Sequence, residues 1–321
     1  MGLRKQILIW VLLVGIAASA QKELDSTVAS DAYIRRFPEK ITLRAGMINT
    51  GNSFIVTDRE TSTSLRLNPG TSNYFGMSVL FRSLEIDYGF SPGFLNKEDR
   101  EADPKLFNLN FRMFLGQWMQ TINLYKQDGF YTEIDGVKGY LPDFSTLKLG
   151  GRTSYIFNRN FSFRAVGFQN EWQKKSAGSF IPSAQFYYTR YSLRDGGEER
   201  LENSWDIAVG PGYYYNWVLG GHLILGMGNT TGAGIRYVDS KESQYGSFVL
   251  NTRFLGALGY NSERIFAGVN FRYNLLEQWD KENIRLDDSI HFFEIYVGYR
   301  FDAPEGWVRT ANRFNRKFGI D

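Results

Sequence analysis

The stretch His291-Phe292-Phe293-Glu294-Ile295-Tyr296-Val297-Gly298-Tyr299-Arg300-Phe301 reads with a period of two. His291, Phe293, Ile295, Val297, Tyr299 and Phe301 share one face, while Glu294, Tyr296, Gly298 and Arg300 share the other. Successive side chains of a β-strand point to opposite faces, so this segment has one apolar face and one polar or small face. Upstream segments repeat the pattern. Phe107, Leu109, Phe111, Met113 and Leu115 oppose Asn108, Asn110 and Arg112. Ile265, Ala267, Val269, Phe271 and Tyr273 oppose Gly268, Asn270, Arg272 and Asn274. Trp205, Ile207, Val209, Tyr213, Tyr215 and Trp217 oppose Asp206, Ala208, Gly210, Gly212 and Asn216.

The connections alternate as well. Short turns fall at Arg82-Ser83, Gly116-Gln117, Asn158-Arg159-Asn160, Leu219-Gly220-Gly221 and Asn261-Ser262-Glu263. Between them lie longer polar stretches at 58–63, 92–104, 129–144, 193–204, 237–246 and 277–288. Short turns at one end and long loops at the other are the pattern of an outer-membrane barrel. The expected fold is therefore all-β, a transmembrane antiparallel up-and-down β-barrel of about 12 strands with both termini periplasmic. A soluble β-sandwich also alternates, but it does not account for this alternation of turn lengths. Residues 160–192 are too long for one crossing. Either 173–179 is a bulged or inward excursion, or it turns an extra hairpin and the barrel has 14 strands. Aromatic residues bracket the strands. Trp118, Tyr155, Phe157, Phe161, Tyr213, Tyr215, Trp217, Tyr260, Tyr299 and Phe301 sit beside the short turns. Tyr88, Phe90, Phe130, Tyr131, Tyr187, Trp205, Phe248, Tyr273 and Phe293 sit toward the loops, as two interfacial girdles require.

Outward from the strands, residues 1–20 read as a signal peptide: Arg4 and Lys5, an apolar run Ile7–Ala17, then Ala18-Ser19-Ala20. Its removal takes away two cations and no acid, so the net charge of +3 falls to +1. A nearly neutral chain has no electrostatic footprint for nucleic acid. Residues 21–39 then form a periplasmic N-terminal segment, 40–301 the barrel and 302–321 a basic tail. In that tail Arg309, Arg313 and Lys317 recur every four residues, which suits a short amphipathic helix as well as an unstructured end. A mean hydropathy of −0.33 excludes a polytopic helical membrane protein. Seven Trp, 19 Tyr and 26 Phe exclude disorder, and the absence of Cys excludes disulfides and thiolate metal sites.

If the apolar face meets lipid, the lumen receives Arg44, Glu85, Asp87, Arg112, Lys148, Arg152, Arg164, Asp206, Arg253, Arg272, Glu294 and Arg300. Desolvated charges need partners, so the set reads either as an ion-pair network filling the barrel or as a small anion-favouring pore. Ser289 and His291, with Asp287, share a lipid-directed face and make the only pattern that suits a hydrolase dyad. No metal or other cofactor is expected: the run 98–103 lacks the spacing of a calcium loop. Gly226, Gly228, Gly232 and Gly234 lie on a strand, where they relieve crowding or let the wall bend.

Two runs, Asp128-Gly129-Phe130-Tyr131 and Gln173-Lys174-Lys175-Ser176-Ala177-Gly178-Ser179-Phe180, carry a resemblance. The chain resembles a Bacteroidota family of outer-membrane proteins known only as domain of unknown function 4421. The resemblance implies an outer-membrane barrel of a Gram-negative bacterium and brings no reaction, substrate or functional residue. The second run coincides with the irregular segment, so Gln173, Lys174, Lys175, Ser176, Gly178 and Ser179 form a further candidate site. The expected role is a narrow pore or solute-uptake protein, with outer-membrane lipid, small solutes or ions, and envelope proteins as partners. The alternative is a non-conducting structural or accessory barrel, with the lipid hydrolase third.

Overall fold

The computed structural model describes residues 32–318 apart from 59, 61–62, 69–71, 83, 91–104, 135–136, 167–169, 196–197, 242–243 and 280–283. The leader at 1–20, residues 21–31 of the following segment and the carboxylate run at 98–103 lie outside the described residues. The strands are β1 (Ile34–Arg36), β2 (Lys40–Asp58), β3 (Thr63–Asn68), β4 (Ser72–Phe81), β5 (Leu84–Phe90), β6 (Lys105–Leu115), β7 (Trp118–Ile134), β8 (Val137–Tyr155) and β9 (Glu171–Gln173). They continue as β10 (Ala177–Phe180), β11 (Ser183–Asp195), β12 (Glu198–Gly210), β13 (Gly212–Leu219), β14 (Leu223–Ser240), β15 (Gln244–Asn261), β16 (Ile265–Trp279) and β17 (Ile284–Asp302). Two helices complete the chain, α1 (Phe163–Val166) and α2 (Glu305–Phe318). No described helix is long and apolar enough to cross a membrane.

One large antiparallel sheet holds all the strands except β1 and β9, which pair with each other. From β2 the ladders run through β4, β5, β6, β7, β8, β11 and β12 to β14 on one side. On the other side they run through β17 and β16 to β15, and β15 pairs β14 from Leu223↔Tyr260 to Asp239↔Gln244. The path of pairings thus returns to its start. The first and last long strands, β2 and β17, are neighbours over their full length, from Lys40↔Asp302 to Asp58↔Ile284.

Several strand segments are pieces of longer strands. Pro182 separates β10 from β11, and Pro211 separates β12 from β13; a proline has no N–H to give the ladder. The carbonyls of both prolines still accept, from Tyr155 N (3.1 Å) and Thr231 N (3.1 Å). β3 and β4 both lie along β2, and the far edge of β3 pairs β7 from Leu65↔Ile134 to Asn68↔Tyr131. That contact lies beyond the β6 ladder, which ends at Lys105↔Asp128.

Burial follows the period of two. On β17, Ile295 and Val297 are 56% and 58% exposed, whereas Glu294 and Arg300 are 2% and 0%. Leu43, Met77, Ile86, Ile207, Val209 and Ile235 are likewise exposed, on strands all along the path of pairings. On the inner face, aromatic rings cover cross-strand glycines. A Cβ on Gly298 would stand 1.9 Å from the Phe266 ring, and one on Gly228 would stand 1.9 Å from the Tyr214 ring. At the β13–β14 turn, Gly220 and Gly221 have φ of +58° and +76°, a left-handed pair only glycine adopts without strain.

Three departures from the sequence reading have physical reasons. The stretches 129–144, 193–204 and 237–246, read as loops, are largely strand: β7 runs to Ile134 and β8 from Val137, and the other two hairpins behave alike. Polar residues on both faces end an apolar band without ending a ladder, because backbone pairing and cross-strand contacts continue. Phe130 and Phe161, assigned to the girdles, are buried inside. A bulge between Asp128 and Phe130, with Gly129 at φ +83°, shifts the parity of β7 and turns Phe130 inward. Finally, 160–192 does not turn a hairpin at 173–179; it holds an inward excursion, longer than the 173–179 expected. The excursion contains α1 and β9 and ends before β10, which pairs β13 in the large sheet and leads through Pro182 into β11.

Because the Phe266 ring occupies the place of a side chain at position 298, Gly298→Val is expected to destabilise the fold by about 1–3 kcal/mol. Urea unfolding of refolded protein, followed by heat-dependent gel migration, checks this.

Candidate functional site

The inner face is a network of charge. Arg236 on β14 and Asp206 on β12 are cross-strand partners, and their side chains form a two-pronged pair: Nε meets Oδ1 and Nη2 donates to Oδ2 at 2.8 Å. Arg236 Nη1 also donates to Gln278 Oε1 on β16 (2.9 Å). Arg44 donates to Ser78 Oγ (2.8 Å) and Asp87 Oδ1 (3.1 Å) and lies 3.6 Å from Glu294 and 3.8 Å from Glu85. Arg112 Nη1 donates to Glu85 Oε2 at 2.5 Å. Arg152 Nη2 donates to Gln185 Oε1 (2.7 Å). Removing an ion from water costs several kcal/mol, which only such multiple, well-directed contacts offset.

One pair joins opposite walls. Lys148 Nζ on β8 donates to Asp288 Oδ2 on β17 at 2.8 Å, and both side chains are buried. These strands stand six ladders apart along the main path in either direction. In the same part of the interior the Phe54 ring lies 5.7 Å from Tyr191 and 5.9 Å from Phe130, which packs on Phe144 at 4.9 Å.

The excursion, together with inward side chains of 177–181, fills the end near the short turns. Phe161, Ala165, Val166, Ala177 and Ile181 pack with Tyr214, Ile224, Leu255, Ala257, Phe266 and Tyr296 of the wall. Its polar atoms bind the turns: Asn170 Nδ2 donates to Arg82 O (2.6 Å), and Gln117 Nε2 donates to Ile156 O (2.7 Å). Trp172 Nε1 donates to Gly221 O (2.8 Å), and Asn261 Nδ2 to Glu171 O (3.2 Å). Glu171 accepts from Ser162 Oγ (2.5 Å) and Arg36 Nε (3.3 Å), and Arg164 Nη1 lies 3.5 Å away. The β1–β9 pair adds Phe37, whose ring stands 4.6 Å from the Arg300 guanidinium, with Phe266 at 4.7 Å.

The run Gln173–Ser179 is spent on holding this plug. Gln173, wholly buried, donates to Asn160 O (2.6 Å) and Lys175 O (3.0 Å) and accepts from Ser162 N (2.8 Å). Ser179 Oγ accepts from Asn158 N (3.0 Å), Ser176 Oγ accepts from Val218 N (2.9 Å), and a Cβ on Gly178 would meet the Tyr215 ring at 2.4 Å. Lys174 N donates to Tyr33 O (2.7 Å), while Lys175 is exposed, with Nζ 5.4 Å from the Tyr33 ring.

Of the twelve lumen candidates, eleven lie on the sheet; Arg164 instead sits on α1 in the plug, 4.4 Å above the Phe114 ring. Arg236 and Asp288 are inward too but were not among the expected lumen residues, although Asp288 shares the parity of Glu294. Ser289, Asp287 and His291 lie on one strand, β17. Ser289 Oγ donates to Ser53 O (3.4 Å), Asp287 Oδ1 accepts from Arg285 (2.7 Å), and no described hydrogen bond reaches the His291 ring. Among the described residues, no cluster of His, Cys, Asp or Glu could hold a metal ion.

The sequence from residue 23 to 301 matches the family model described as Domain of unknown function (DUF4421). The chain belongs to this family. None of the curated proteins matches it. Among solved structures, the outer membrane protease OmpT of Escherichia coli aligns at 8% identity with a TM-score of 0.38, covering 83% of this chain and 98% of that one. An outer membrane channel from Pseudomonas putida F1 aligns at 12% identity and a TM-score of 0.35, covering 86% and 100%. At these scores nothing passes from either protein to this one.

Arg236→Met strands Asp206 as a buried ion and is expected to cost about 3–5 kcal/mol. The double variant Arg236→Met/Asp206→Leu removes both charges and is expected to regain most of that loss. Denaturant midpoints of the two refolded variants provide the check.

Proposed function

We propose that the protein is a sealed, non-conducting β-barrel of twelve strands in the outer membrane of a Gram-negative bacterium of the Bacteroidota. It is exported by the leader at 1–20, keeps both termini in the periplasm, and serves as a rigid structural or accessory barrel for envelope partners. Twelve strands result when β3 with β4, β10 with β11, and β12 with β13 are each taken as one strand of the closed path. The belt of exposed Leu, Ile, Val and Met around a charged interior supports lipid as the surrounding medium. Leaving such side chains in water forgoes about 1.5–3 kcal/mol each, and a soluble monomer does not tolerate a patch this large. Rings at both ends of the belt support two interfaces: Trp118–Tyr155, Tyr215–Trp217 and Tyr299–Phe301 at one, Tyr188–Trp205–Tyr237 at the other. At the short-turn end α2 places Trp307 against Phe81 (6.1 Å) and Asn312 against Arg82 (2.7 Å), which suits a basic helix resting on the inner leaflet.

The observation that favours a sealed barrel over the narrow pore is the filled interior. The Lys148–Asp288 pair and the Phe54–Tyr191 contact bridge the walls, and the plug occupies the end below them. Ions crossing a planar bilayer would have to break both layers.

Folded protein, verified by heat-shifted migration, is expected to give no single-channel steps in a planar bilayer. Reproducible, anion-selective steps from wild-type protein would restore the pore. Lys148→Ala/Asp288→Ala, which opens the bridged layer but leaves the plug, is also expected to stay silent.

A further inference from the structure

Between the plug and the bridged layer lies a cavity of about 30 Å³, room for roughly two water molecules or one small ion. Four arginines from four strands reach it: Arg44 on β2, Arg112 on β6, Arg253 on β15 and Arg272 on β16. Phe163 and Val166 of the plug also line it. The carboxylates engaged with these cations are Glu85, Asp87 and Glu294. Four guanidinium groups against three carboxylates leave one positive charge uncompensated.

The donors are also left over. Arg44 and Arg112 hold the carboxylates, but Arg112 Nε is buried without a hydrogen-bond partner. Among the described residues, no hydrogen bond or salt bridge within 4 Å engages Arg253 or Arg272; Arg272 lies against the Phe292 ring at 4.1 Å, and the charges of Glu294 and Asp87 act on it from further away. An unpaired cation in a confined, partly desolvated space is costly, and a guanidinium in that position supplies directed donors to an incoming anion.

The geometry points to a site for one monovalent inorganic anion of halide size, held by Arg253 and Arg272 above the plug. The single excess charge sets the valence, and the small volume suits a compact inorganic anion. The anion completes charge balance between plug and wall, and its binding does not depend on whether the barrel conducts.

Bromide is the probe. Crystals of the full-length barrel grown in sodium bromide are expected to show an anomalous peak within hydrogen-bond distance of Arg253 and Arg272. In solution, the unfolding midpoint is expected to be about 2–4 °C higher in bromide than in gluconate at equal ionic strength. That difference is expected to vanish in Arg253→Gln, and a separate Arg272→Gln variant guards against one substitution failing to fold. Anomalous density without a peak in the cavity, or midpoints equal in the two salts for wild-type protein, would overturn the assignment.

Discussion

A wall that turns leucine and isoleucine outward must turn its polar residues inward, and here those residues include arginine, lysine, aspartate and glutamate. Each is removed from bulk water, so each must find its counter-charge or hydrogen-bond partner inside. That requirement organises the interior. Arg236 and Asp206 meet across one ladder, Arg44 gathers three acids from two other strands, and Lys148 reaches Asp288 on the opposite wall. The glycines of the same face follow from it. Where rings and guanidinium groups crowd the interior, Gly298 and Gly228 give up their side chains to Phe266 and Tyr214.

The plug answers the same requirement at the short-turn end. Apolar wall residues such as Ile224, Leu255 and Phe266 face inward there and need apolar contacts, which Phe161, Val166 and Ile181 provide. The backbone of an irregular segment inside a sheet must also be satisfied. Gln173, Asn158, Ser162 and Ser179 do this with side-chain amides and hydroxyls where strand pairing cannot. The most distinctive run of the sequence thus supplies side-chain and backbone contacts that hold this segment against the turns.

Much of the wall was legible in the sequence because alternation is a direct consequence of strand geometry. Glu294 and Arg300 inward with Ile295 and Val297 outward needed no tertiary information. An inward excursion within 160–192 was one of the two readings open, but its extent and its contents were not legible: the short β9 and one-turn α1 are stabilised by contacts with strands distant in sequence, and local pattern is silent about those. Hairpin lengths were misread because polarity marks where an apolar band ends, whereas backbone pairing carries the strands further. Phe130 was misplaced because one bulged residue reverses parity. The pairing of Lys148 with Asp288 depends on which strands face each other across the interior, which period-two reading alone does not provide.

The inverted polarity of the wall is tested most directly on β17. The chain has no cysteine, so single Cys substitutions at successive positions from 293 to 298 can each carry one nitroxide label. In the refolded protein in lipid vesicles, collision with oxygen is expected to be high at 293, 295 and 297 and low at 294, 296 and 298. A water-soluble nickel chelate is expected to reach none of the first three. Loss of the two-residue alternation, or ready access of the chelate to 293, 295 and 297, would contradict the account.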